Sequence, residues 1–233
     1  SGTDYHPEVS LFRQTINTAG KFAITFYEAG SSGDAWIRCG LGEAPDMLWI
    51  KSTTAGYPHT IWHKNLANLS QGFLVMNTNA AEATHSGIWY NTNNAAASNG
   101  QITVGNSGSG GTYENNHSYV MYAWKAVTGV SAFGTYEGNA GANTVTYTGS
   151  NSFTARFIML KNIDSTNDWI IKDSFREAPG TELLTFLKPN VNDAEGTHQV
   201  TGLTATSTGF TFDSGATSSA VNSAHTFIYA AFA

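Results

Sequence analysis

His59 and His63 flank Thr60-Ile61-Trp62, and in an extended strand alternate residues share a face, so the two imidazoles would lie on one side with Ile61 between them. Zinc sites need three or four ligands at compatible spacing. No third ligand stands nearby and no Cys-x-x-Cys or His-Glu-x-x-His pattern occurs, so the pair reads as polar strand residues and no metal is expected. The acidic residues are dispersed, without the Asp-x-Asp-x-Asp-Gly spacing of a calcium loop.

Glycoside hydrolysis needs two carboxylates facing each other across roughly 5 to 10 Å. Asp193 and Glu195 share a face if extended, and Glu28 and Glu137 occupy matching places in two similar stretches of sequence. A catalytic dyad rarely survives symmetrically in a duplication, so the second pair reads as strand-end solvation. The chain also lacks a Gly-x-Ser-x-Gly elbow and a phosphate-binding Gly-Lys-Ser/Thr loop. No catalytic residue and no cofactor are assigned, and the expectation is a protein that is not an enzyme.

Sugar binding is the ligand chemistry the composition favours, because sugar rings stack on exposed aromatics while amides and hydroxyls take their OH groups. Trp89-Tyr90-Asn91 adjoins an Asn-rich stretch running to Gly100, and Tyr113-Glu114-Asn115-Asn116 adjoins a Gly-rich one from Gly105 to Gly111. The candidate ligand-binding residues are therefore Trp89, Tyr90, Asn91 and Tyr113, with core packing as the alternative role for the two rings at 89 and 90.

The elements that would carry these residues are β-strands. From Lys21 onward short runs rich in Val, Ile, Thr and aromatics are separated by Gly, Ser, Asn and Thr clusters. Only Glu182 to Leu187 suggests a turn of helix. Four landmarks recur after about 110 residues. Phe26-Tyr27-Glu28-Ala29-Gly30 matches Thr135-Tyr136-Glu137-Gly138-Asn139, and Met47-Leu48-Trp49-Ile50-Lys51 matches Phe157-Ile158-Met159-Leu160-Lys161. Trp62 to Asn65 matches Ile170 to Asp173, and Tyr119 to Trp124 matches Phe227 to Phe232.

The expected fold is thus all-β, an antiparallel jelly-roll-like β-sandwich of two tandem pseudo-equivalent modules packed together. Residues 1–19 form an arm or linker, residues 20–127 the first module and residues 128–233 the second. Strands 47–50, 119–124, 157–160 and 227–232 are apolar at consecutive positions, which predicts burial on both faces, by the sister module or by a neighbouring subunit.

Charged residues make up 12% of the 233, and the formal net charge is −6. With no Lys/Arg run, the electrostatic term that drives nucleic-acid binding is missing. No apolar stretch approaches the roughly 20 residues that span a bilayer. The single Cys39 reads as a small apolar strand residue. The first residues do not resemble a signal peptide, and a start without Met is expected of a processed product or a portion of a longer chain.

At Gly40 to Asp46 leading into Trp49-Ile50-Lys51, at Trp62 to Leu66, at Trp89-Tyr90-Asn91, and at Tyr119 to Trp124 the sequence resembles repeated β-modules of tailed-bacteriophage virion proteins, of marine and cyanophage type. Phe133 to Asn139, Lys161-Asn162, Trp169 to Arg176 and Phe227 to Ala233 carry the same resemblance in the second copy. It covers about residues 17 to 233 and rests on packing and turn signatures. It implies a tail-fibre, knob or head-attached appendage protein located on the virion, without cofactor or catalytic residues. It implies a homo-oligomer, commonly a trimer, with other virion proteins as partners. Host-surface attachment, and a lectin acting on host glycans as the alternative, follow as expectations.

Overall fold

The structure is a computed structural model that describes residues 11–30, 33–89, 99–107, 111–149, 151–177, 182–183, 185–197 and 202–233. Every regular element among them is a β-strand, and the fold is all-β with antiparallel sheets. The chain divides into two compact units, one of residues 1–75 and 83–125, the other of residues 76–82 and 126–233.

The first unit contains β1 (Leu11–Asn17), β2 (Phe22–Glu28), β3 (Asp34–Arg38), β4 (Met47–Ser52), β5 (Thr60–His63), β6 (Gly72–Val75), β7 (Ala83–Thr84), β8 (Gln101–Gly105) and β9 (Ser118–Trp124). Seven of these form one sheet in the order β1-β2-β9-β4-β5-β6-β7, and β3 pairs with β8. Ala23, Tyr27, Leu48, Ile50, Met121 and Ala123 on one face of the large sheet are buried, as are Ile37 and Ile102 of the β3/β8 pair.

The second unit contains β10 (Ser131–Glu137), β11 (Asn143–Thr146), β12 (Phe157–Asn162), β13 (Ile170–Asp173), β14 (Thr185–Phe186), β15 (Gly196–Thr197), β16 (Leu203–Thr206), β17 (Gly209–Phe212) and β18 (Thr226–Phe232). A four-stranded sheet in the order β10-β18-β12-β13 faces a three-stranded sheet β11-β17-β16 across one core, while β14 pairs with β15. Tyr136, Leu160, Phe227 and Tyr229 from the first sheet pack with Val145, Leu203, Phe210 and Phe212 from the second, the sandwich arrangement. Aromatic rings dominate this core, with Tyr136 stacked on Phe227 at 5.1 Å and edge-on to Phe210 at 5.6 Å.

The two units share a connectivity. In each, the first long strand pairs with the last, the last with the third, and the third with the fourth: β2-β9-β4-β5 and β10-β18-β12-β13. The second strand pairs with the next-to-last in each, β3 with β8 and β11 with β17. Loop hydrogen bonds recur too. Ala29 N–H donates to His117 O as Gly138 N–H donates to His225 O, and Tyr27 OH donates to Thr112 O as Tyr136 OH donates to Val221 O.

Three sequence expectations change. Residues 11–17, expected in an arm, form β1, an edge strand joined to β2 by a tight turn in which Lys21 takes a left-handed φ of 46°. Residues 182–187, expected as a helical turn, contribute β14 and an antiparallel bridge from Leu187 to Ile171, because β13 would otherwise leave an unpaired edge. The run Ile88 to Tyr90, whose apolar and aromatic residues read in the sequence as a short strand, begins instead in a turn at Ile88 and Trp89.

Burial on both faces holds for β12 and β18, where every residue but Phe157 of β12 and the two ends of β18 is buried. It does not hold for β9, whose residues alternate between half-buried and buried. Its half-buried residues include two aromatics, Tyr122 and Trp124, which stack with Phe22 across β2 and β9, with Phe22 5.1 Å from Trp124, and Trp49 of β4 lies 5.7 Å from Tyr122.

Buried charge in the first unit sits at a strand junction. Asp46, 2% exposed, receives Lys64 at 3.3 Å and Lys125 at 3.1 Å, tying the entry to β4 to the chain just beyond β5 and β9. Both lysines are partly solvated, which weakens each pair. Asp46→Asn is therefore expected to lower stability by about 1–2 kcal/mol, less than a fully buried pair would lose. A urea midpoint unchanged from the parent would refute this.

Candidate functional site

A polar cleft of about 270 Å³ opens in the second unit. Its walls come from three stretches far apart in sequence: the β12–β13 turn at residues 163–169, the segment around Lys188, and residues 218–220. A fourth wall is Asn79, from the strap of residues 76–82 that leaves the chain between β6 and β7 and belongs to the second unit.

Asn162, at the end of β12 and fully buried, organises two of these walls. Its Oδ1 accepts the N–H groups of Asp164 and Ser165, each at 3.0 Å, and its Nδ2 donates to Ser219 O at 3.0 Å. An Asn carboxamide can do both because it carries an acceptor and two donors. The strap is held by its backbone. Asn167 N–H donates to Asn79 O at 2.9 Å, and Glu82 N–H donates to Ile163 O at 2.9 Å.

Asp168 is the charged centre of the cleft. Its Oδ1 accepts from Asn190 Nδ2 at 2.7 Å and its Oδ2 lies 3.0 Å from Lys188 Nζ. Asn190 is fixed in turn, since its Oδ1 accepts the Trp169 N–H at 3.0 Å. Burial by itself would raise the Asp168 pKa, but the hydrogen bonds from Asn190 and Lys188 and the charge of Lys188 outweigh it and hold the carboxyl below its usual range. The group is an anion at neutral pH.

Behind the cleft lies Lys161, fully buried in β12, with Nζ donating to Asn162 O at 2.6 Å and reaching Asn79 O at 3.4 Å. Burial lowers its pKa to about 8, while the nearby Asp168 charge opposes that fall. A second buried lysine, Lys172 of β13, donates to Leu183 O and is likewise lowered by burial to about 8, against the opposing charges of Glu182 and Glu177. Both ammonium groups act on backbone carbonyls, which makes them fixtures of the fold.

The residues singled out from sequence fall elsewhere. Trp89 is fully buried and its indole N–H donates to Gly72 O at 2.9 Å, so neither ring face is open to a sugar. Tyr113 is buried, its hydroxyl accepting the Gly30 N–H at 2.9 Å. Tyr90 and Asn91 lie outside the described residues. The neighbouring Glu114 is buried and accepts from Ser107 N–H at 2.9 Å and Gly111 N–H at 2.8 Å, closing the ends of the Gly-rich stretch.

His59 packs at 5.9 Å from Trp49, and burial, aided by Lys51, lowers its pKa; His63 is buried, its Nδ1 accepting from Asn65 N–H. Among the described residues no three His, Cys, Asp or Glu side chains gather as a metal site. Asp193 lies 3.8 Å from Lys188 and Glu195 2.7 Å from Arg176, so each acid answers a different cation, and Glu28 and Glu137 are exposed strand ends.

The Asp168 cleft had no local signal in sequence beyond the polar run Asp164 to Asp168, because Asn79 and Lys188 come from distant parts of the chain. What the cleft offers is a mixture of fixed acceptors and donors without an aromatic platform among its described lining.

Fold and site together define a two-unit all-β protein whose second unit borrows a strap and carries a polar cleft. The chain belongs to the family described as a domain of unknown function, DUF7483, whose model matches residues 10–233. No curated protein and no solved structure matches it.

Proposed function

We propose that this chain is a non-enzymatic structural protein of a phage virion, a tail-fibre, knob or head-attached appendage module built by tandem duplication and working as a homo-oligomer. The resemblance at Gly40 to Lys51 and at Trp169 to Arg176 supplies the virion part of this reading. The shared strand order and the recurring hydrogen bonds from Tyr27 and Tyr136 support the duplication.

The observation that carries the assembly part is the aromatic sheet face of the first unit. Phe22, Tyr122, Trp124 and Trp49 are half-buried there beside Ile24, which is 36% exposed. The rings of Phe22 and Tyr122 lie within 7° of parallel at 6.4 Å, and both stack on Trp124, so part of each ring face is engaged by a neighbouring ring. Such a surface suits close packing against another apolar surface better than stacking on a sugar.

Light scattering on the purified chain is expected to give a trimer or another closed oligomer, and Tyr122→Asp is expected to dissociate it. A monomer at about 100 μM, well above the Kd of a stable interface, would overturn the assembly reading. Antibody against the protein is expected to label a discrete appendage on intact particles in the electron microscope, and particles without any label would overturn the virion reading.

A further inference from the structure

We infer that the Asp168 cleft of the second unit is a binding site for one neutral sugar residue of a glycan. This goes beyond the assembly role and places ligand binding in the copy opposite to the one the aromatic residues 89, 90 and 113 suggested.

An inorganic anion or a phosphate would meet the Asp168 carboxylate, which stays ionised because Asn190 and Lys188 hold it so. A divalent cation would find one carboxylate with an ammonium 3.0 Å away, and hard cations need several oxygen ligands. A flat aromatic ligand would find no ring in the described lining to stack on. A neutral polyol held by its hydroxyl groups alone, without ring stacking, meets none of these obstacles.

Fit comes from the mixture of groups. Asp168 accepts, Lys188 and the Asn79 carboxamide donate, and the hydroxyls of Thr166 and Ser219 do either. Sugar hydroxyls are themselves both donors and acceptors, and a rigid frame that alternates the two suits vicinal pairs. The frame is rigid because Asn190 is bonded on both sides, by Trp169 N–H and to Asp168. Ser219 is held through its carbonyl by Asn162. A volume of about 270 Å³ lies just under the range for drug-sized ligands, which matches a single ring rather than a long chain.

Among the described residues, the matching turn of the first unit is pinned differently. Ser52 stands where the second unit has Asn162; its Oγ accepts the turn N–H groups of Thr54 and Ala55, at 3.3 and 3.1 Å, and donates to Ser118 O at 3.2 Å, which ties the turn to the start of β9.

The test is ligand-observed NMR on the intact chain with glucose, galactose, mannose, rhamnose, N-acetylglucosamine and glucuronate, each at about 10 mM, where Kd values in the millimolar range are readable. At least one neutral sugar is expected to bind. Ser219→Trp, which fills the cleft from an exposed position, and Asp168→Asn, which keeps the shape and removes the charge, are each expected to weaken that binding roughly tenfold or more. Melting temperature and light scattering check that both variants remain folded and assembled, and Thr166→Ala serves as a milder third variant if either does not. Binding by no neutral sugar, binding by glucuronate alone, or binding that Ser219→Trp leaves intact would overturn the inference.

Discussion

Raising the pH from 7 to about 9.5 is expected to stabilise this fold, where most proteins lose stability, because two buried lysines release their protons in that interval. Lys161 and Lys172 have folded pKa values of about 8 against an unfolded value near 10.4. Below pH 8 both states hold the proton and the folded state bears the full cost of a buried ammonium. Between about 8 and 10.4 the folded state is neutral at these sites while the unfolded chain is still charged, so the unfolded state binds more protons and stability rises with pH. Each unit of displacement corresponds to roughly 1.4 kcal/mol.

Opposing groups set the upper end of the window. The Cys39 thiol is raised by burial, so the unfolded chain ionises first there and this group's contribution declines as pH passes about 9, against the larger rise from the two lysines. The phenols of Tyr27 and Tyr136 are raised well above their usual value by burial, and Tyr229 is raised to about 12, which turns the curve downward beyond about pH 10. A stability maximum between about pH 9 and 10 is expected in urea titrations. Lys161→Met with Lys172→Met should remove the rise. A parent curve that falls steadily from pH 8 would contradict the account.

The second large effect is expected at Gly138. A Cβ built there would overlap the carbonyl of Ser223 and come 2.7 Å from the Asn222 carbonyl carbon. That backbone cannot withdraw, because Asn222 is fully buried and its Nδ2 donates to Gly141 O at 2.7 Å and Ala216 O at 2.9 Å. Gly138→Ala is therefore expected to cost about 3 kcal/mol, at the upper end for overpacking. The thermal midpoint should fall by roughly 6–12 °C in a chain of this size. The matching residue of the first unit is Ala29, which makes the same backbone hydrogen bond and is comfortably buried, so Ala29→Gly should cost under about 1 kcal/mol. Equal losses at the two positions would show that the two turns are not built as described.

The strands that carry apolar runs were legible in the sequence because their own side chains supply the burial. Met47 to Ile50, Phe157 to Leu160 and the closing run Thr226–Phe232 became β4, β12 and β18. The β1 strand was not legible, since Leu-Phe-Arg-Gln-Thr-Ile-Asn has a weak period and its existence depends on a partner, β2, that offers it an edge. The very short β7, β14 and β15 were invisible for the same reason.

The expectation of an open ring at Trp89 rested on a local inference. An aromatic beside an Asn-rich stretch suggests exposure, yet Trp89 is drawn inside by the carbonyl of Gly72, a partner the pattern around residue 89 does not announce. The cleft around Asp168 was missed for the opposite reason: its polar residues are unremarkable one by one and become a site only when Asn79, Asp168, Lys188 and Ser219 are brought together.

The strap of residues 76–82 has a consequence for how the chain is made. Its partners Lys161, Ile163 and Asn167 are synthesised some 80 residues after it, so it emerges from the ribosome long before its seat exists. The first unit must close β6 onto β7 around a loop that stays undocked until β12 and the turn beyond it arrive. Closing so long a loop costs only a little more than closing a short one, so the delay is one of time rather than of free energy. A ribosome-bound chain halted near residue 130 would hold this strap open to proteases, and release of the full-length product would hide it.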